Sequence, residues 1–427
     1  MILTVDKRLD RGREHLVFGA NEILRHLPFF EDVATHDEHE SAWKAATAGL
    51  VTLRLVDKWI EEGAQAVAAE SWNLRSVLGA IGQMDEGLPT RAILGSVVTA
   101  MQAAKKAAAV HDVMPRVLAY GRALEFEAKW KLAVDVYDTV IAHTHPIEEC
   151  DIAITAHLQR GFCLRMLGEF EQAQTAYATA GSVAERTRDM VGVLRARIGD
   201  AKIAVARGNL PYAESVLDET IASALAHGAT AVRSRALHDR AMVAGMRGNY
   251  ELSIQLAYDA LADSDSSAER DRILSDIGTA FHYLGIRSAA RDAFLVLSAT
   301  AQEQYMRWMA SIALMTIAAE DGVEPVFEQF RRSLAALPLP PDLETEYYIH
   351  LGKAHRELGR DDLSNIALGK AIQLAEHFGF NALLFEAEDL VAAGRRGRRW
   401  PPEETAIPAS IADVAESIRG LRELTKV

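Results

Sequence analysis

The sequence predicts an all-α fold of stacked helical hairpins, and three observations carry that prediction. A turn-forming residue recurs at Ala128, Gly168, Gly208, Gly248, Gly285, Gly322 and Gly359, in three steps of 40 residues followed by three of 37. Seven residues before each of these corners stand Gly121, Gly161, Ala201, Ala241, Gly278, Met315 and Gly352. Five residues after six of them stand Ala133, Ala173, Ala213, Ser253, Ala290 and Ser364. Small residues at both places let two antiparallel helices approach closely. One such hairpin cannot bury its apolar face alone, so the neighbouring copies must cover it.

The clearest copy is Arg160–Ala180, RGFCLRMLGEFEQAQTAYATA. Gly168 can take a left-handed backbone at no steric cost, which makes Leu167-Gly168-Glu169-Phe170 the corner. Ala173, Tyr177 and Ala180 follow at spacings of four and three, on one face of the second helix. The unit at Gly322 is degenerate, with Met315 and Phe327 where small residues are expected.

Outside the repeat the elements read in order. Arg11–His26 is an expected helix ended by Leu27-Pro28, followed by the polar loop His36-Asp37-Glu38-His39-Glu40. Ser41–Gly63 carries Trp43, Ala46, Leu50, Leu53, Val56 and Ile60 at helical spacing, an amphipathic helix expected to pack on the array. From Ser71 to Met101, Ala80, Gly87 and Ala92 stand at repeat-like offsets and suggest a diverged first repeat. Asn381–Ala393 begins an eighth hairpin, whose corner is expanded into a loop containing Arg395, Arg396, Arg398 and Arg399 and ending in Trp400-Pro401-Pro402. Ala409–Leu424 resumes with Ile411, Val414, Ile418, Leu421 and Leu424, a helix suited to closing the last hydrophobic face.

These spacings resemble the tetratricopeptide repeat, TPR, in a long-repeat bacterial form with units of 37–40 residues. The resemblance rests on Gly161, Gly168, Phe170, Ala173, Tyr177 and Ala180, with Gly121, Trp130, Ala133, Tyr137 and Gly278, Phe281, Gly285, Ala290, Phe294 in two further units. It implies a right-handed α-α superhelical solenoid of TPR-like hairpins with helical caps at both ends. On that reading residues 1–70 are an N-terminal cap, 71–110 the diverged repeat and 111–394 the solenoid, with 395–427 forming the basic loop and a C-terminal capping helix.

Composition excludes several functions. With 49% hydrophobic and 25% charged residues, and no apolar run of about eighteen, the chain is expected to be soluble and not membrane-spanning. A start of MILTVDKRLDRGREHL lacks a secretory apolar stretch, and Cys150 and Cys163 are the only cysteines, so a reducing cytoplasm is expected. A net charge of −14 argues against general nucleic-acid binding, and the arginine loop is expected to be a solvated turn. No phosphate loop, nucleophile elbow or HExxH occurs. His36 and His39 have ligand types at a zinc-compatible spacing, but polar loops carry such residues without metal, and no metal or cofactor is assigned. His143-Thr144-His145-Pro146 reads as a solvated turn, and Cys163 as a packed small hydrophobe.

The resemblance implies a binding groove lined by the first helix of each hairpin. Carried over position by position, the groove residues are Leu118, Arg122 and Glu125, then Thr155, Leu158, Phe162 and Arg165, then Arg195, Ile198, Lys202 and Val205. Arg235, His238 and Met242 follow, then Arg272, Ser275, Thr279 and His282, and finally Glu346, Ile349, Lys353 and Arg356. Arg195, Arg235 and Arg272 share one repeat position and form an expected basic ladder for carboxylates of a partner, with Leu158, Phe162, Ile198 and Met242 as apolar footing. Arg235 and Asp239, and likewise Arg272 and Asp276, are four apart and can pair along their own helices instead. The groove lacks the asparagines of carboxylate-clamp and peptide-sensing TPRs. The expected function is a non-enzymatic adaptor or regulatory subunit that holds a partner-protein segment. The alternative is a ligand-gated sensor of a short peptide or small molecule in a bacterial regulatory system.

Overall fold

A computed structural model describes residues 25–62, 71–103, 109–395 and 404–425. Among these, twenty α-helices and one short 3-10 turn follow one another, and no strand occurs. None of the described helices is long and apolar enough to cross a membrane. The chain divides into two compact units, one up to Asn209 and one from Leu210.

Unit 1 holds α1 (Leu27–Thr35), α2 (Ser41–Glu62), α3 (Ser71–Gly82), α4 (Pro89–Ala103) and α5 (Ala109–Phe126). It continues with α6 (Trp130–His143), α7 (Cys150–Met166), α8 (Phe170–Thr187) and α9 (Met190–Ala206). Leu27-Pro28 begins a helix where a terminator was expected. Proline lacks an N–H that a first helical turn leaves unused anyway, so it fits there as well as after a helix end. The expected helix over Arg11–His26 otherwise lies outside the described residues. The α2 helix buries Ala46, Leu50, Leu53 and Val56, as its periodicity requires. Gly49 on the same helix gives Phe29 of α1 and Tyr120 of α5 room to stack, with ring centroids 6.3 Å apart. The α3–α4 hairpin is held by Val77, Ile81, Leu94, Val97 and Val98, whereas Ala92 is exposed. Ala80 packs partly buried against the same core.

Unit 2 holds α10 (Leu210–Ala226), α11 (Thr230–Met246), α12 (Tyr250–Asp263), α13 (Ser267–Tyr283) and α14 (Arg287–Thr300). After them come α15 (Gln304–Glu320), α16 (Glu324–Ala335), α17 (Pro341–Glu357), α18 (Asp361–Phe378), α19 (Asn381–Arg395) and α20 (Ala412–Thr425). Within each unit a first helix packs against its own second helix and against the next hairpin.

The seven corners all adopt positive φ, from 55° at Ala128 to 79° at Gly168. The residue seven before a corner and the residue nine after it are partners. A Cβ on Gly161 would lie 2.8 Å from the Tyr177 ring, and one on Gly121 would lie 2.6 Å from Tyr137. Gly278 meets Phe294 and Gly352 meets Leu368 in the same way. Where the second helix offers only Ala257, the first offers Ala241, and both are buried. At the degenerate unit Met315 fills the space itself and is fully buried. The small residues recur because a large side chain of the facing helix leans over them.

Placement of the C-terminal helix differs from expectation. The α20 helix packs on α14 and α12, second helices in the middle of unit 2, and not over α19 at the end of the hairpin series. Amphipathicity shows that one face is buried without showing against what. The basic loop over 396–403 lies outside the described residues.

Candidate partner-binding faces

The candidate faces are formed by first helices: α5, α7 and α9 in unit 1, and α11, α13, α15 and α17 in unit 2. Not every position expected to line them does so. Leu158 and Ile198 are 5% and 6% exposed and belong to the packed interior, as do Leu118 and Ile349. Successive first helices pack directly, so a residue ten before the corner is covered by the next hairpin and cannot serve a ligand as footing. In unit 2 the same position carries His238, which is also buried.

In unit 1 the face centres on Glu125 of α5. Its Oε1 accepts a hydrogen bond from Tyr137 Oη at 2.7 Å, and both oxygens lie 3.2 Å from Gln159 Nε2 of α7. Cys163 Sγ is 3.5 Å away and fully buried, the place expected of a small hydrophobe. Burial raises the Glu125 pKa, and these hydrogen bonds and the nearby Arg122 only partly offset it. Burial likewise pushes the Cys163 thiol well up, with Glu125 adding to the effect. Beside this group Phe162 packs edge-on against Trp130 at 5.6 Å, and the Arg165 guanidinium lies 5.4 Å over the Phe162 ring. Arg165 Nε is buried, and the guanidinium acts on the Tyr177 hydroxyl, partly offsetting the rise in its pKa that burial causes. Arg122 is exposed, and among the described residues neither it nor Arg165 has a carboxylate within ion-pair distance. Arg195 is exposed on α9, and Lys202 is partly buried.

In unit 2 several basic groups of the first helices are paired within the unit. Arg235 Nε is 3.7 Å from Asp239 Oδ2 of the same helix and its Nη1 is 3.8 Å from Glu269 Oε1. Arg235 therefore pairs along its own helix. Arg272 is exposed and has no such pair among the described residues, because Asp276 faces His238 Nε2 at 2.7 Å. His282 Nε2 is 2.8 Å from Glu320 Oε2 one hairpin on, and Lys353 Nζ is 2.7 Å from Glu386 Oε1. Glu357 occupies the corner-proximal end of α17. Burial, then the Glu320 charge, raises its pKa to about 7 against the pull of Arg356 and Arg287. Met242 and Met246 are 49% and 57% exposed, and Tyr283 stacks on Tyr250 at 5.1 Å.

Sequence reasoning missed a buried charge cluster in unit 1. His26 Nδ1 is 2.7 Å from Asp135 Oδ2 and its Nε2 is 3.1 Å from Asp57 Oδ2, while His143 Nε2 is 2.7 Å from Asp57 Oδ1. Arg25 reaches Asp57 and Glu61 at the rim. Burial alone would lower the His26 pKa, but the two carboxylates overcome it and hold it at about 9. Burial would raise Asp57, yet the hydrogen bonds of His143 and His26 hold it well below the usual carboxylate range. So His143 is a buried partner and not part of a solvated turn. Its partner is 86 residues away, and no local spacing points to it. At the other histidine pair, His36 faces Glu40 at 3.1 Å and Asp32 at 3.6 Å, while the His39 side chain is 88% exposed beside Glu38. Among the described residues no group of three or more metal-ligand side chains converges.

No family model matches the chain, and no curated protein matches it. Among solved structures, it is similar to a tetratricopeptide repeat protein from Parabacteroides merdae, at 12% identity and a TM-score of 0.42 over 64% of this chain and 98% of that one. It is also similar to the apo form of the quorum sensor NprR from B. thuringiensis, at 12% identity and a TM-score of 0.45 over 81% and 91% of the two chains. A third likeness is to a signal-transduction ATPase with a tetratricopeptide repeat sensor from Pyrococcus horikoshii, at 12% and 0.47 over 87% and 68%. The hairpin reading itself rests on this chain's own corners and packing.

Proposed function

We propose that the chain is a non-enzymatic scaffold or regulatory subunit that holds an acidic segment of a partner protein on the first-helix face of unit 1. The observation that supports this most is the state of the cations. Arg165 lies over the Phe162 ring of the Trp130–Phe162 pair and Arg122 lies near Glu125, and among the described residues neither has a carboxylate in ion-pair distance, whereas Arg235 in unit 2 is paired with Asp239 and Glu269. A guanidinium over an aromatic ring receives a carboxylate by charge-assisted hydrogen bonds while the rings take an adjacent apolar side chain.

The test is affinity purification from the native host with the wild-type chain and with Arg165→Glu, followed by mass spectrometry of the retained proteins. Loss of one charge-assisted contact is worth about 1.5–3 kcal/mol, or roughly a tenfold or greater drop in retention. An unchanged set of retained proteins at unchanged amounts refutes the placement.

A further inference from the structure

Residues 404–425 fill a groove on the second-helix side of unit 2. Glu404 Oε1 accepts the Ser288 N–H at 2.8 Å, at the start of α14, and the Thr405 N–H donates to the Gly285 carbonyl at 3.1 Å. At that corner a Cβ on residue 285 would stand 2.9 Å from Thr405 Oγ1, so the glycine is also needed for the tail to seat. Further along, Gln255 Nε2 of α12 donates to the Ser410 carbonyl at 2.8 Å, and Ser410 Oγ reaches Glu251 at 2.5 Å. Then the helix itself begins. Ile411, Val414, Ala415 and Ile418, at offsets of three, four and seven, are at most 7% exposed. They join a core with Ile254, Ala257, Ala289, Ala293 and Val296. One turn past Ile418, Arg422 Nη1 lies 2.7 Å from Asp292 Oδ1, and Arg419 lies 3.8 Å from the other oxygen.

Asp292 gives the groove its selectivity. Its side chain is 5% exposed on α14, so any apolar helix that lacked a cation at this point would bury an unpaired carboxylate. Small residues in α14 (Ala289, Ala290 and Ala293) leave the space that Ile and Val side chains enter. The tail is nevertheless a modest anchor. It seats three large apolar side chains, and a helix of fourteen residues is marginal in water by itself. Tethering compensates, because an intramolecular partner acts at an effective concentration in the millimolar range.

We propose that the α12–α14 groove is a helix-docking site held shut by the chain's own C-terminal helix. An amphipathic helix of the same apolar register, with an arginine one turn past its last apolar residue, occupies it in trans when the tail is displaced.

The experiment uses the full chain and a fluorescent synthetic peptide covering residues 404–425, with binding read by anisotropy. Ile418→Asp displaces the tail through its apolar face. Arg422→Glu displaces it through charge alone and keeps the apolar residues that hold the fold. Both variants bind the peptide at least tenfold more tightly than wild type, whose groove is occupied. Adding Asp292→Arg to Arg422→Glu re-seats the tail and returns peptide binding to the wild-type level. Hydrogen exchange rises in residues 250–300 of the single variants and falls again in the double one. The proposal is overturned if folded variants bind no peptide, if wild type binds as tightly as they do, or if a peptide carrying Arg422→Glu binds Arg422→Glu protein equally well.

Discussion

Adding one methyl group at Gly161 tests why the small residues recur. The Cβ of Gly161→Ala would meet Tyr177 Cε1 at 2.8 Å and two further ring atoms at 3.0 Å, where ordinary carbon contacts lie near 3.5–4 Å. The ring has little room to retreat, because it also lies against Gly199 of α9, where a Cβ would stand 2.4 Å from Tyr177 Cδ1 and Cε1. Overpacking of this kind costs about 1–3 kcal/mol, and the better helix propensity of Ala returns up to about 1 kcal/mol. Gly161→Ala should therefore destabilise unit 1 by roughly 1–2 kcal/mol. Tyr177→Ala alone should cost about 3–5 kcal/mol through the cavity it leaves. In the Tyr177→Ala background the same glycine substitution becomes neutral or stabilising, since Ala241 and Ala257 coexist at the equivalent places in unit 2. A coupling of roughly 2 kcal/mol between the two sites follows. Chemical denaturation read by circular dichroism, with hydrogen exchange of residues 150–206 as the local probe, measures it. Additive effects of the two substitutions would refute the packing argument.

Other consequences follow from the corners and the buried cluster. Ala128 sits at φ 55°, a conformation that costs a non-glycine residue about 1 kcal/mol, so Ala128→Gly should stabilise the chain by about 0.5 kcal/mol in the same melts. Conversely, Gly168→Ala, with nothing within 4 Å of its Cβ, should destabilise by about 1 kcal/mol through backbone strain alone. The raised pKa of His26 makes its stabilisation complete below the ordinary 6.5 and lost as pH rises through about 9. The shift corresponds to about 3 kcal/mol, so the stability difference between wild type and His26→Gln should shrink by that order between pH 6.5 and 9.5. A difference that stays constant over this range contradicts the cluster. Asp57 acts at the other end: its depressed pKa gives stability above the usual carboxylate range that is lost as pH falls below it. Asp57→Asn should accordingly flatten the acid limb of the unfolding curve.

What could be read from the sequence was what hairpin geometry repeats. Gly168 and its counterparts are visible because each corner needs positive φ, and Gly161 with Tyr177 because a ring and a missing side chain must meet sixteen residues apart. Lining residues were harder to place. A repeat position shows which helix face a residue occupies, and Phe162 and Arg165 share one, the guanidinium lying over the ring. The position does not show how closely the next hairpin approaches, and that contact buries Leu158 and Ile198. The pairing of Arg235 with Asp239 was legible from their spacing, whereas the engagement of Asp276 by His238 required the neighbouring hairpin. His26, Asp57, Asp135 and His143 carry no periodic signal at all. Neither does Asp292, whose partner Arg422 lies 130 residues away on the C-terminal helix.

Selection of random extended peptides on the full chain tests most directly whether unit 1 presents an acid-binding face. The account predicts an enriched motif with an acidic residue next to an apolar one. It also predicts that selected peptides lose roughly tenfold or more in affinity to Arg122→Glu and Arg165→Glu, and little to Arg235→Glu. Peptides that come out basic, or that bind the unit 1 variants as tightly as wild type, contradict it.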